Sequence, residues 1–409
     1  MRATSALVFA KGYFRLVCSN LFAQFSEQAA LAAAPLVAVL LLGADASDTG
    51  VLQTAQTLPF LLLSVPLGVL ADRTSRRRLM AGSEALRAIA LFSVMSLIAL
   101  GALSLPTLAI FGFLGAIGAV CYSVSAPALV PNIVPREALA RANRGLELAR
   151  STAFAAGPAI GGAVVGWLGA PTAYALATVL SLMAAVLLSG IPEPANRSYA
   201  HRPFLKELWE GACFILTHEY LRPILVTAVF FNTSWFVLQA VYVAYAVHSL
   251  GLTAATVGLT LGMYGCGMVA GALIATRLAR YLTCGVMIAV GPASALAAAI
   301  IMLSTIHFPL ALLAGASFFL FGAGPIIWTI TTTTLRQSVT PNMMLARVSA
   351  LIMTATFGAR PIGAGIGALV ASRFGAEAAL LTSGAGFIVQ FAVLCGSAVP
   401  RLSRLPEPV

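Results

Sequence analysis

Charge is scarce in this chain. Asp, Glu, Lys and Arg make up 9% of its 409 residues, against about 25% in a soluble globular domain, so a water-soluble fold is excluded. Lysine is scarcer still: only Lys11 and Lys206 occur, and neither follows a glycine. That removes the Gly-Lys-Ser/Thr phosphate loop which ATP-driven transport needs. The histidines His201, His218, His248 and His307 stand apart, so no His/Cys/Asp metal cluster or Ser-His-Asp set can be assembled. No metal, cofactor or enzymatic activity is expected. The six cysteines (Cys18, Cys121, Cys213, Cys266, Cys284, Cys395) are scattered without metal spacing or a disulfide framework and read as small apolar packing residues.

What the chain has in abundance is grease. It is 60% hydrophobic, with mean hydropathy +0.95. Apolar runs of membrane-crossing length fall at 14–42, 50–71, 79–103, 106–129, 145–168, 171–190, 221–248, 254–277, 283–305, 308–333, 347–372 and 375–398. The short loops between them leave no room for a soluble domain. The first run is too long for a signal peptide and lacks a small-residue cleavage site, so it is expected to remain as a helix. The 24 Lys and Arg gather at both termini and in loops from even to odd runs, with Arg360 and Arg373 read as the exceptions. By the positive-inside rule both termini are cytoplasmic. The +11 net charge therefore reflects topology, with some grip on anionic lipid, and no nucleic-acid partner is implied.

The second half echoes the first at an offset of about 205 residues: VPREALARAN (134–143) with VTPNMMLARVS (339–349), GPAIGG (157–162) with RPIGAG (360–365), and GVLADR (68–73) with ALIATR (272–277). The expected organisation is a bundle over 1–190, a linker over 191–220 and a second bundle over 221–409. Within the linker, FLKELWEGACFIL places Phe204, Leu208, Cys213 and Ile215 near one face and Lys206, Glu207 and Glu210 elsewhere. That pattern suits a short amphipathic helix on the cytoplasmic surface.

Between the second and third runs stands GVLADRTSRRR (68–78), with Gly68 read as ending a helix, then Asp72 and four arginines. Gly68, Asp72, Arg73, Arg76, Arg77 and Arg78 resemble the loop motif of major facilitator superfamily transporters. In the fifth run, Gly157, Pro158, Gly161 and Gly162 are similar to that superfamily's antiporter signature. VPREALARAN, ELWEGACFILTHEYLRPIL and LRQSVTPNMMLARV resemble the branch containing the enterobactin exporter and the macrolide-efflux proteins. The resemblance implies an all-α membrane protein of 12 transmembrane helices in two six-helix pseudo-symmetric bundles, with a site near the membrane midplane. It also implies that the Asp72 and arginine cluster latches one conformation, the competing reading being plain topogenic charge. One departure is that FGFLG (111–115) carries Phe111 where the superfamily often has a helix-4 arginine.

Two charges are read as deep in the membrane, Glu27 in the first run and Arg360 in the eleventh. At ~1.5 Å rise per residue each lies roughly 20 Å from the cytoplasmic face. A lone charge there costs at least ~2.5 kcal/mol and should face water, a partner or substrate. Glu27 is read as a proton carrier and Arg360 as a substrate contact; the alternative is a structural pair between them. Asn20, Gln24 and Gln28 share a side of the first run with Glu27. Tyr122 in the fourth run, Asn232, Trp235, Gln239 and Tyr242 in the seventh, and Trp328 and Thr329 in the tenth are read as cavity lining, or as inter-helix hydrogen-bond formers, with ordinary packing a further alternative for Trp235 and Tyr242. Glycines at small-xxx-small spacing on the fifth, eighth and eleventh runs are read as packing faces.

The expected function is a secondary active, proton-coupled exporter of an amphipathic small molecule (drug, macrolide or siderophore-like), working as a monomer in a bacterial inner membrane. Its expected partners are a small-molecule substrate, H+ as coupling ion and the lipid bilayer. Carriage of a metabolite, lysolipid or metal chelate, import rather than export, and a non-transporting receptor or scaffold remain the alternatives.

Overall fold

The computed structural model describes residues 2–134, 139–191, 204–341, 344–404 and 406. Among them all regular structure is helical. The elements are α1 (Arg2–Leu42), α2 (Ala46–Arg73), α3 (Arg76–Ala99), α4 (Leu105–Ile133), α5 (Leu139–Leu168), α6 (Ala170–Ser189), α7 (Phe204–Thr217), α8 (Leu221–His248), α9 (Ala254–Leu278), α10 (Cys284–Ser304), α11 (Ala311–Val339) and α12 (Leu345–Cys395), then a 3-10 turn at Val399–Arg401. Ten helices among the described residues are long and apolar enough to cross a membrane. Helices suit that solvent because each satisfies its own backbone hydrogen bonds where no water can.

The chain divides into two compact units. The first comprises residues 1–44, 55–200 and 253–262, the second 45–54, 201–252 and 263–409. In the first, α1 packs on α5 and α6, and α3 on α4 and α6, around Leu16, Ala23, Met80, Tyr122, Leu129 and Leu188. In the second, α8 packs on α12 and α10 on α11, around Leu221, Ile288, Leu335, Val348 and Leu394. Large apolar side chains such as Phe92, Trp167, Val186, Leu273, Leu312 and Ile388 point outward, as lipid allows.

Small residues set how closely helices approach. Within the first unit a Cβ at Gly161 would fall 2.9 Å from the Ala29 carbonyl oxygen, and one at Gly162 2.6 Å from the Gly258 Cα. The second unit repeats the device: a Cβ at Gly367 would lie 2.9 Å from the Val237 oxygen. The duplication reaches the backbone angles, since Gly169 and Gly375 both have φ 86. There a residue with a Cβ would be strained. At Gly375 the backbone leaves helical geometry, with φ 86 and ψ 173, so α12 comprises two helical spans, matching the eleventh and twelfth runs, joined across a kink.

Two expectations are corrected. Gly68 does not end a helix, because α2 continues to Arg73. The break falls at Thr74 and Ser75, where the Ser75 hydroxyl caps α3 by accepting from the Arg78 N–H at 3.2 Å. The side chains of Asp72 and Arg73, and the surroundings of Gly68, lie outside the described residues, as do those of Phe204, Lys206, Glu207 and Leu208. On α7, Ile215 is buried, but Cys213, expected beside it, is exposed, since two residues on a helix diverge by about 200°.

Candidate functional site

α3 carries the centre of the site. The sequence GSEALR (82–87) sits well inside a membrane-length helix, and two of its side chains are charged and buried. The reading of only two deep charges is thereby corrected: Glu84 and Arg87 join Glu27 and Arg360. The signal that could have found them was in plain view, a Glu and an Arg at i,i+3 inside the third apolar run. Spacing of three puts them on one helix face.

Arg87 spends its donors on three helices. Its Nε donates to the Gly115 carbonyl of α4 at 3.2 Å and its Nη1 to the Ala23 carbonyl of α1 at 3.2 Å. Nη1 also lies 3.0 Å from Glu84 Oε1, and Nη2 stands 3.9 Å from Glu27 Oε2. Glu84 is wholly buried, and the Ser181 hydroxyl of α6 approaches its Oε2 at 2.8 Å. The Glu27 side chain keeps 21% exposure, so it is the acid of this group that touches solvent. Room for the guanidinium comes from α4 glycines: a Cβ at Gly118 would fall 3.2 Å from Arg87 Nε, whereas one at Gly115 would make ordinary contact at 3.8 Å. The helix-4 arginine missing at Phe111 thus has a counterpart that reaches α4 from α3. Charges this deep persist only when paired and hydrogen-bonded; here one guanidinium serves two acids, and Glu84 Oε1 and Arg87 Nη2 have no hydrogen-bond partner among the described residues.

The other sequence-predicted residues divide between units. In the first, Asn20 donates to the Leu146 carbonyl at 3.0 Å, tying α1 to α5, and Gln28 is buried where a Gly157 Cβ would meet it at 2.6 Å. Gln24 is half-buried. Tyr122 is buried 3.3 Å from the Ser19 hydroxyl, inside the core cluster rather than on a lining. Gly157 and Gly161 face α1 and Gly162 faces α9, with the Pro158 carbonyl beside Gly258.

In the second unit, Trp235 stacks on Tyr264 at 5.0 Å and meets Phe321 at 4.9 Å, while Tyr242 is fully buried 4.5 Å from Phe318. The aromatic stripe of the seventh run is therefore a packing face at these two positions, because rings this large gain most from burial against other rings. Asn232 donates to its own helix, at the Ala228 carbonyl, and Gln239 is half-buried. Trp328 is half-buried with no acceptor for its Nε1 among the described residues, and Thr329 is exposed. Arg360 lies over the ring of Phe357 at 4.1 Å and of Phe236 at 5.4 Å, a cation–π seat.

The motif arginines have a structural task. Arg77 donates to the Ser189 carbonyl at 3.3 Å and the Ile191 carbonyl at 3.0 Å, and Arg15 donates to the Gly190 carbonyl. Two cations therefore complete the C-terminus of α6, where unsatisfied carbonyls and the helix dipole favour positive charge.

Comparison with known proteins agrees with this architecture. Residues 6–406 match the family model described as transmembrane secretion effector. An uncharacterised MFS-type transporter, y4rN, of Sinorhizobium fredii is 27% identical over 266 residues, 62% of this chain and 64% of that relative's own length. The chain thus matches under two thirds of that relative. Among solved structures, the peptide transporter POT superposes with TM-score 0.77 at 12% identity, covering 98% of this chain and 99% of that one. A bacterial homologue of the iron transporter ferroportin, in an inward-facing state, gives TM-score 0.75 at 15% identity, covering 95% and 98%. These likenesses establish the fold. The family match over residues 6–406 and the shared fold together describe a multi-pass membrane protein of the major facilitator type.

Proposed function

We propose that this chain, which belongs to the transmembrane secretion effector family of the major facilitator superfamily, is a secondary active exporter that exchanges protons for an amphipathic small molecule. A drug, macrolide or siderophore-like solute is the cargo class, and a bacterial inner membrane with both chain termini cytoplasmic is the setting. The observation that carries the reading is the ion pair between Glu27 and Arg87 at 3.9 Å, buried in lipid-spanning helices yet open to solvent at the acid. An acid in that position can take a proton, release its cation and return both as the protein changes conformation. Export rather than import is favoured by the family's description and by GPAIGG on α5. Arg360, seated on two phenyl rings, offers a cation to an electron-rich or anionic part of the solute. Gln24 on α1 and Gln239 on α8 are half-buried polar candidates for solute contact, and the loop cluster of Asp72, Arg73 and Arg76 to Arg78 is the candidate conformational latch.

The test is transport by the protein reconstituted in liposomes under an imposed pH gradient, with a panel of drugs, macrolides and siderophores. Gradient-driven efflux that Glu27→Gln abolishes supports the reading. Efflux indifferent to collapse of the proton gradient removes proton coupling, and efflux unaffected by Glu27→Gln removes Glu27 from it.

A further inference from the structure

The charge of the buried cluster does not balance without a proton. Glu27 and Glu84 share one guanidinium, that of Arg87. The sequences of α4 and α6 contain no charged residue, and on α5 the described charges Glu147 and Arg150 pair with each other at 2.6 Å. On α1, Arg15 is committed to the Gly190 carbonyl. The other titratable groups in the neighbourhood, the Cys121 thiol and the Tyr122 and Tyr174 phenols, are neutral when they hold their protons. Among the described residues the cluster therefore holds one negative charge more than positive, and one bound proton cancels it.

Hydrogen counting shows where that proton fits. The Ser181 Oγ lies 2.9 Å from the Glu84 backbone oxygen and 2.8 Å from Glu84 Oε2. A hydroxyl carries one hydrogen, and with Glu84 ionised both oxygens are acceptors, so one of the two contacts lacks a hydrogen. With Glu84 protonated at Oε2, that hydroxyl donates to Ser181 Oγ while its lone pair still accepts from Arg87 Nη1 at 3.3 Å, and Ser181 donates to the backbone oxygen. Both contacts are then filled with no heavy atom displaced. Glu84 has no exposure with which to reach water, whereas Glu27 does. Arg87 Nη2, on a side chain 4% exposed, has no hydrogen-bond acceptor among the described residues and stands 3.9 Å from Glu27 Oε2.

We infer that Glu84 is a second proton-carrying site, filled through Glu27, and that Arg87 pairs with whichever of the two acids is ionised. A proton from water binds Glu27; the O–H bond breaks there and forms at Glu84; Arg87 then closes on the Glu27 carboxylate. One proton enters and one positive charge shifts partner, with nothing else consumed. The physiological use of this site rests on the proton-coupled reading above, but its existence does not.

Infrared difference spectroscopy of the full-length protein in liposomes, without any solute, tests it. The wild type should show a protonated-carboxyl C=O band that Glu84→Gln removes. Ser181→Ala, a mild change, should leave the band in place but move its frequency, since the hydrogen bond is gone. Glu27→Gln should also remove it, because Arg87 then belongs to Glu84 alone and the proton is no longer needed, while Glu27→Asp should keep it. A band that survives Glu84→Gln, ignores Ser181→Ala, or is absent from the wild type overturns the inference. Efflux that ignores the pH gradient while the band behaves as stated would sink the exporter's coupling and leave Glu84 standing as a proton site. Gradient-driven efflux without a Glu84 band would do the reverse.

Discussion

Arg87 Nη1 lies 3.0 Å from Glu84 Oε1, one turn back on the same helix, and the side chain's other donors cross to α1 and α4. One residue thus fixes three helices by hydrogen bonds whose acceptors are backbone carbonyls, which substitution at those positions cannot remove. Replacing Arg87 takes the one guanidinium away from the two acids it faces, Glu84 and Glu27, and loss of one partner of a buried pair costs about 3–5 kcal/mol. Arg87→Gln is expected to lower the thermal midpoint of the purified protein sharply, and adding Glu84→Gln should recover a large part of the loss. Thermal unfolding in detergent for the two single variants and the double one measures this. A double variant no better than Arg87→Gln would show that the carboxylate is not what the arginine serves.

The cradle around Arg87 makes a sharper contrast between two glycines of α4. A Cβ at Gly118 would fall 3.0 Å from the Ser83 carbonyl oxygen and 3.3 Å from Arg87 Nη2, but one at Gly115 meets only Arg87 Cγ, at 3.8 Å. Gly118→Val should cost about 1–3 kcal/mol by overpacking and displace the guanidinium, reducing gradient-driven efflux. Gly115→Ala should be nearly silent in both measurements. Equal damage at the two positions would mean that α4 packing in general, not the arginine's seat, is what these glycines protect.

How much of this was legible beforehand follows from what kind of signal each feature leaves. The helical membrane fold is written in repeated apolar runs, and the duplication shows in echoed segments such as VPREALARAN with VTPNMMLARVS. Glu27 was visible because a lone acid interrupts an apolar run and draws the eye. Glu84 and Arg87 left a signal too, their i,i+3 spacing inside the third apolar run, but what that face meets is shown by three-dimensional packing. For Trp235 and Tyr242 the sequence left two readings open, cavity lining and ordinary packing. Helical spacing tells which residues share a face, not whether that face meets a cavity or the rings of Phe318 and Phe321. The α6 cap was beyond reach as well, since Arg77 and Ile191 are far apart in sequence and no local pattern links them.

That cap yields a prediction of its own. Arg77 and Arg15 donate to three consecutive carbonyls, those of Ser189, Gly190 and Ile191. Each cation at a helix C-terminus is worth about 0.3–1 kcal/mol, so Arg77→Ala should lower stability by roughly that much. Arg77→Lys should restore most of it, being still a cation at the same end. The thermal midpoints of the three proteins decide the matter. If Arg77→Lys is as weak as Arg77→Ala, the fork geometry of the guanidinium matters and the helix-end charge does not.

His218, at the junction of α7 and α8, supplies the pH dependence. Its Nδ1 accepts the backbone N–H groups of Tyr220 at 3.1 Å and Leu221 at 3.4 Å, capping the start of α8. Burial against Phe214 and Tyr220 pushes its pKa below the usual histidine value, with only the nearby Glu219 carboxylate pulling the other way. A protonated imidazole is a donor at both nitrogens, so charging the ring also removes the cap. The sign follows from proton counting. Between the depressed folded value and the ordinary 6.5, the unfolded chain binds more protons than the folded one, and stability rises with pH. The contribution is complete above 6.5 and is lost as pH falls through that value toward the folded one. His218→Asn, which keeps a capping oxygen and cannot titrate, should flatten this part of the curve. His218→Ala should lose about 1 kcal/mol at neutral pH through the missing cap. Hydrogen exchange of the Tyr220 and Leu221 amides on either side of pH 6.5 reports the site directly. Exchange protection that does not weaken on the acid side in the wild type would show that some other acceptor caps α8.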